Sequence, residues 1–307
     1  MAGYSHLDRP FLLGKLNSLV DFHLWPPEAR VDPRRWLGNF RNDADAVYAH
    51  HLLNGFTYLS GAMTAEVFSA GFHSLSSRCA QSAADFPTAA RLWRSFCDSL
   101  IITHVTGEQP NPSDSGAIFV RMMRTVVGLR EEQLFPPDGA LAEATATPSR
   151  PVLFVDDFVG SGNQFVDTWK RSYSIGATTT SFKALAHASP STEFFYCPAI
   201  CTAFGARNIR TKCPAVHLSP GHLLPPEYSA LHPASVIWPD DMRAEGAAFI
   251  ERTSRAAGIP DLGGQVDDYR GFNRLGLTLA FSHSVPDATL PLFYWEGNGW
   301  HPLVRRR

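Results

Sequence analysis

Long apolar runs are missing from this sequence. No window of about 18 hydrophobic residues occurs, so no membrane-spanning helix is expected. An excess of one charge is missing too. Lys and Arg number 27 against 29 Asp and Glu, a formal net charge of −2. That balance supplies no bulk attraction to nucleic acid, and without a basic stripe a nucleic-acid partner is not expected. Cysteine is sparse: Cys79, Cys97, Cys197, Cys201 and Cys213 are odd in number and widely spaced, unlike a secreted disulfide framework. Cys197-x-x-x-Cys201 with Cys213 offers a zinc reading. Against it, the first two sit in the apolar run from Phe194 to Cys201, which suits a buried strand, where free thiols are common. The start, Met1 to His6, has neither the basic residues nor the apolar stretch of a signal peptide, and a cytoplasmic protein is expected. Neither repeats nor low-complexity segments occur. What is present is core material: 44% hydrophobic and 18% charged residues over 307 positions, enough for one large domain or two modest ones.

The most informative stretch runs from Val152 to Phe165. Val152-Leu153-Phe154-Val155 leads straight into Asp156-Asp157, then Phe158-Val159, then Gly160-Ser161-Gly162-Asn163-Gln164. Apolar residues without alternation suit a strand covered on both faces, as in a parallel sheet. Phe165 to Lys170 follows as helix. The order is therefore strand, acidic edge, tight turn, helix, and ligands of open α/β sheets bind at that edge. Gly160 and Gly162 permit backbone angles and close approaches that side chains forbid. Successive amides at a helix start form a nest for phosphate, and Ser161 adds a hydroxyl. Asp156 and Asp157 suit sugar hydroxyls or a hydrated Mg2+. Together these groups fit a phosphorylated ribose. The plain alternative is a core strand whose two acids cap the next helix. A P-loop is excluded by the missing lysine. A receiver domain places its acid pair at the end of its first strand, and a dinucleotide fold has its glycines directly after the strand.

This stretch resembles the phosphoribosyl-pyrophosphate (PRPP) motif of type I phosphoribosyltransferases. In that resemblance Asp156 and Asp157 fall on the ribose-binding acids and Gly160, Ser161, Gly162, Asn163 and Gln164 on the 5′-phosphate loop, with Val159 counted among the phosphate- and ribose-binding residues. Ser161 stands where Thr is usual, Asn163 where Gly is common and Gln164 where Thr or Ser is usual. A narrower resemblance covers most of the chain. Trp36-x-x-Asn39-Phe40, Pro112-Ser113-Asp114-Ser115-Gly116, Val155 to Gln164 and Ala288-Thr289-Leu290-Pro291-Leu292 are similar to the phosphoribosyltransferase-like group of bacterial conflict systems, PRTase-CE. It implies an effector or accessory role in antiphage loci, including some retrons. The fold expected is α/β, with a parallel-sheet, type I phosphoribosyltransferase-like core over residues 95–307 and a helical N-terminal region over 1–94.

Within the N-terminal region, Leu12, Leu13, Leu16, Leu19 and Val20 repeat at helical spacing. Asp32-Pro33 reads as a cap and first-turn proline, and Asn42 or Asp43 caps a longer helix. The aromatic residues are expected in the core, with a protein partner on these helices as the alternative. Leu100 to Val105 reads as a strand. The turn Ser113-Asp114-Ser115-Gly116 then leads into a helix bearing Ile118, Phe119, Met122 and Met123. That second strand–loop–helix makes Ser113, Asp114, Ser115 and Gly116 candidates for the pyrophosphate, although helix capping alone also explains them. Residues 136–150 read as a mobile cover or a plain connector. Phe182 to His187 reads as strand-like and Leu275 to Phe281 as a strand. His283 and the Pro286–Pro291 loop border a base or close the fold. Arg305-Arg306-Arg307 reads as a solvated tail.

Two functions follow from this reading. One is an enzyme of the pentosyltransferase class that binds PRPP with Mg2+ carried on the ligand, and on Asp156 and Asp157 in part, and transfers the phosphoribosyl group. The other is a non-catalytic module that senses PRPP or a nucleotide-like small molecule, or holds a partner. The acceptor is not legible.

Overall fold

The computed structural model describes residues 7, 9–27, 30–107 and 115–306. In chain order it forms α1 (Arg9–Asp21), α2 (Pro33–Leu37), α3 (Asp43–Asn54), β1 (Thr57–Leu59), α4 (Gly61–Ser74), α5 (Ser76–Ser82), α6 (Phe86–Ser99), β2 (Ile101–His104) and α7 (Ser115–Thr125). There follow α8 (Pro137–Ala146), β3 (Val152–Val159), α9 (Asn163–Lys170), the hairpin β4 (Tyr173–Ile175) and β5 (Thr178–Thr180), and α10 (Phe182–Ala188). The remainder is β6 (Phe194–Thr202), α11 (Ala203–Lys212), β7 (Val216–Leu218), β8 (His222–Leu224), α12 (Arg243–Ala256) and β9 (Leu279–Phe281). No helix among the described residues is long and apolar enough to cross a membrane.

The chain divides into two units, one of residues 1–63 with 225–307 and the other of residues 64–224. The expected division at 94/95 does not coincide with this one. Helices α1 to α3 belong with the last eighty or so residues, while α5 and α6 belong with the sheet. Local helical patterning cannot register that difference, because it comes from contacts between distant parts of the chain.

The second unit is a parallel sheet in the order β2-β3-β6-β7, with β8 also paired to β6. Its strands read as continuous apolar runs because both faces are covered. One face packs Phe154, Phe194 and Tyr196 against Leu141 of α8, Phe165 and Trp169 of α9, Phe182 of α10 and Ile209 of α11. The other packs Leu153, Val155 and Phe195 against Phe68 and Phe72 of α4 and Phe119 of α7. Pro198 sits in the middle of β6, where a missing N–H is normally costly. It is tolerated because β7 pairs with residues 194–196 and β8 with 200–202, leaving Pro198 at the gap between them. Its carbonyl faces that gap and accepts from the Gly221 amide at 3.0 Å.

Two expectations are corrected here. Residues 136–150 are neither cover nor bare connector: Pro137 opens α8, and Ala140, Leu141 and Ala144 are buried in the sheet's core. Phe182 to His187 is helix α10, capped by Ser181, whose Oγ accepts from the Ala184 amide at 3.1 Å. Phe182 and Leu185, three apart, supply its buried face.

The first unit is built on aromatic packing. Asp32 caps α2 and Asn42 caps α3 through their side chains, with Pro33 in the first turn of α2. Trp36 stacks on Phe293 with ring centres 5.4 Å apart, and its indole N–H donates to the Leu292 carbonyl at 2.7 Å. Asn39 exchanges two hydrogen bonds with the His301 backbone at 2.8 and 2.9 Å. Thr289 is fully buried, and its hydroxyl donates to the Leu279 carbonyl at 2.6 Å. The Trp36-x-x-Asn39 and Ala288-to-Leu292 motifs therefore hold this unit together. Strand β1, inside the stretch expected to be helical, pairs in parallel with β9 from Thr57↔Leu279 to Leu59↔Phe281. The strand expected over Leu275 to Phe281 is shorter, Leu279–Phe281. Arg306 is no solvated tail: it pairs with Asp267 at 2.8 Å and with Asp287, and its guanidinium lies 5.1 Å from the Tyr294 ring centre.

Candidate sugar-phosphate site at the carboxyl edge of the sheet

Strand β3 carries Asp156 and Asp157 two residues before its end, and the pleat breaks where they sit. The register with β6 passes from Asp156↔Pro198 to Phe158↔Ile200 without a pair for Asp157. Phe154 and Val159, five apart, then face the same core, which regular alternation forbids. The local bonds reflect this break. Asp156 Oδ1 accepts from the Asp157 amide at 3.0 Å, and Asp157 Oδ1 accepts from the Phe158 amide at 2.8 Å.

Both acids are buried, Asp156 at 4% and Asp157 at 7% exposure. The Tyr196 hydroxyl donates to Asp156 Oδ2 at 2.8 Å, and the Tyr196 ring stacks on Phe165 with centres 4.1 Å apart. Burial, then the adjacent Asp157 charge, push the Asp156 carboxyl well above the usual carboxylate range; the Tyr196 bond only partly opposes them. Burial, then the charge of Asp156, also push the Tyr196 phenol well up. Asp156 is thus held toward its neutral form.

The turn after β3 is braced from behind. Gly162 has φ of +76° and stands at the N-cap of α9. A side chain there would be strained and crowded, its Cβ 2.9 Å from Ile209 Cγ1 and 3.0 Å from the Gly205 carbonyl oxygen. Gly205 is equally constrained, since its own Cβ would lie 2.6 Å from the Gly160 carbonyl oxygen. The turn's carbonyls are taken up by the protein. Thr202 Oγ1 donates to the Gly160 carbonyl at 2.5 Å, and Asn208 Nδ2 donates to the Ser161 carbonyl at 2.8 Å. Asn208 Nδ2 also reaches Asn163 Oδ1 at 3.0 Å. The amides of Ser161, Gly162, Gln164 and Phe165 find no backbone acceptor among the described residues. Ser161 Oγ accepts weakly from the Asn163 amide at 3.3 Å and keeps its proton to donate elsewhere. Val159 is buried in the core, whereas Asn163 and Gln164 are exposed. Fixed carbonyls behind and uncommitted amides in front are what an anion-binding nest requires.

The loop after β2 lies at the same edge. Thr168 Oγ1 of α9 bonds the Thr106 carbonyl and amide, both at 3.2 Å. Arg171 binds Thr106 Oγ1 and, at 2.8 Å, the Gly107 carbonyl. Helix α9 therefore links the two loops. Of the pyrophosphate candidates, Ser113 and Asp114 lie outside the described residues, and Ser115 opens α7. Gly116 lets α7 begin against β2, because a Cβ there would lie 2.9 Å from His104 Cβ and from the Val105 carbonyl oxygen.

Sequence reasoning passed over Tyr196, Thr202, Asn208, Thr168 and Arg171. Thr202 carried a usable signal, a Thr ending a strand three residues before a glycine, and its Oγ1 accepts from the Gly205 amide at 2.9 Å. Tyr196 carried none. Cys197 and Cys201 pack in different apolar clusters, and burial pushes Cys201 up to about 12. No cluster of three or more His, Cys, Asp or Glu suited to a metal occurs among the described residues.

A parallel α/β sheet with this acid pair and glycine turn defines a phosphoribosyltransferase-like core. The PRTase-CE family model matches residues 33–306, and the chain belongs to that family. The match runs through both units. Searches of curated proteins and of solved structures returned no match.

Proposed function

We propose that this protein binds PRPP, or a related ribose phosphate, and transfers the phosphoribosyl group as an effector or accessory protein in bacterial antiphage defence. The observation that carries this reading is the turn from Gly160 to Gln164, whose Gly160 and Ser161 carbonyls are tied back and whose Ser161, Gly162 and Gln164 amides find no backbone acceptor. The ligand's 5′-phosphate meets those amides and the α9 dipole. Its ribose hydroxyls meet the acid pair, Asp156 and Asp157. In the reaction the bond from the anomeric carbon to pyrophosphate breaks, and a bond to the acceptor forms. Positive charge develops on the ribose between those events, and the Asp157 carboxylate stabilises it.

A direct Mg2+ site does not fit the described residues. Asp156 is engaged by Tyr196, and Asp157 alone is too few ligands. Mg2+ therefore belongs to the ligand's phosphates in this proposal, where it would offset the charge of the leaving pyrophosphate.

Asp157→Asn should slow pyrophosphate release by about two to three orders of magnitude, the scale of one lost preorganised electrostatic contact. The assay is release from PRPP with a panel of bases, alongside titration calorimetry with PRPP and Mg2+. Unchanged turnover in this variant would remove the catalytic assignment. Phage plating on cells carrying either form tests the defence role, with protection expected only from the wild type. The commitment of Asp156 to Tyr196 favours a second reading, a sensor that binds without transfer. PRPP binding with no release for any base supports that reading.

A further inference from the structure

The first unit holds a cavity that the sugar-phosphate site does not use. It measures about 400 Å³, within the size range of small-molecule sites, and its lining includes Arg30, Arg305, Arg306, Tyr58, His283 and Ser284. A second hollow of about 180 Å³ shares Arg30 and Arg305 and adds Arg35 and His301. Two arginines thus stand between a larger and a smaller hollow.

Their pairing differs in a way that matters. Arg306 is locked by Asp267, Asp287 and the Tyr294 ring. Arg30 makes no ion pair among the described residues, and Arg305 reaches only Glu296, at 3.9 Å and largely in solvent. Such a distant, exposed pair holds little energy, so the Arg305 guanidinium is free to turn to a better anion. The same lining carries aromatic rings: His283 lies by Phe281 with ring centres 5.3 Å apart and planes tilted by 37°, and Tyr58 joins them. The serine hydroxyls of the 281–284 turn supply polar contacts; that turn is closed by the Phe281 amide donating to the Ser284 carbonyl at 2.8 Å. Cationic forks, aromatic rings and hydroxyls in one lining match a phosphate joined through a sugar to a planar ring.

We propose that this cavity is a nucleotide site: the phosphate of a nucleoside 5′-monophosphate sits between Arg30 and Arg305, and its base lies against His283. It does not rest on the sugar-phosphate reading and would stand if that reading failed. Calorimetry on the full chain with a panel of nucleoside 5′-monophosphates, and with inorganic phosphate, tests it. Arg30→Ala and Arg305→Ala remove exposed side chains, so folding is not at risk. Each should weaken nucleotide binding about tenfold, the loss of one charge-assisted hydrogen bond. Glu296→Gln should tighten it by removing a carboxylate from the cavity's lining, an effect a merely structural role would not produce. His283→Ala should weaken nucleotide binding and leave inorganic phosphate unchanged. Gly162→Ala, which alters the turn after β3, should leave nucleotide affinity intact. The inference is overturned if no nucleotide binds, or if Arg30→Ala with Arg305→Ala binds as well as the wild type. It is also overturned if Gly162→Ala, still folded by circular dichroism, no longer binds nucleotide.

Discussion

Asp156 in the sheet unit and Asp268 in the aromatic unit are both sealed from water, yet their surroundings push their acidities in opposite directions. Burial raises both. Asp268 then accepts from the amides of Leu262 at 2.7 Å, Gly264 at 2.9 Å and Arg270 at 3.0 Å, and from Arg270 Nε at 2.9 Å. Those donors outweigh burial and hold its carboxyl well below the usual range. Asp156 has one phenol, one amide and a neighbouring acid, and burial wins. The neighbours decide which of these acids stays charged: Asp268 faces a guanidinium and several amides, Asp156 faces another acid. Asp268 organises the loop from Asp261 to Gly271. Asp156 is a group whose electrostatics the fold tolerates rather than satisfies, as binding sites commonly do.

The largest effect should come from breaking the satisfied acid. Asp268→Ala leaves Arg270 without its buried partner and should cost about 3–5 kcal/mol, read as a lower denaturation midpoint. The sign with pH follows from the lowered acidity constant. The stability Asp268 contributes is present above the unfolded value of about 3.9 and is lost as pH falls through the depressed folded value. The gap between wild type and variant should therefore close in acid. A gap unchanged down to pH 2 (roughly two pH units below that unfolded value) would show that Asp268 acts by packing instead.

Gly162→Ala comes next. The left-handed backbone costs a non-glycine residue about 1–2 kcal/mol, and its Cβ would press on Ile209 and the Gly205 carbonyl. Lower thermal stability together with weaker PRPP binding is expected. Stability lost with binding intact would detach the turn from the ligand.

The smallest effect should come from relieving the unsatisfied acid. Asp156→Asn keeps the shape and removes the ionisable group, so the melting temperature should rise by a few degrees at pH 8. Because the folded value is raised, the wild type has its full stability below the unfolded value of about 3.9 and loses it as pH climbs through the folded one. The gain should shrink toward pH 4. A gain equal at both values would mean that ionisation of Asp156 is not what burial penalises.

How much of this was legible beforehand varies by residue. The parallel sheet was readable from Val152 to Val159 and Phe194 to Thr202, because a strand covered on both faces must be apolar throughout. The turn was readable because its left-handed step, at Gly162, favours glycine. Helix α8 was hidden by Pro137 and Gly139, which resemble turn chemistry but fit a first helical turn. Helix α10 was hidden because seven residues are too few to display a period.

By itself, the sequence determined the sheet's class, the glycine turn and the acid pair, since each rests on neighbouring residues and local sterics. The tertiary structure alone decided that Thr57 pairs with Leu279, that Trp36 closes on Leu292, and that Tyr196 takes up Asp156. Those outcomes depend on which distant surfaces meet, and on how many donors reach a carboxylate once water has been excluded. No local pattern encodes either.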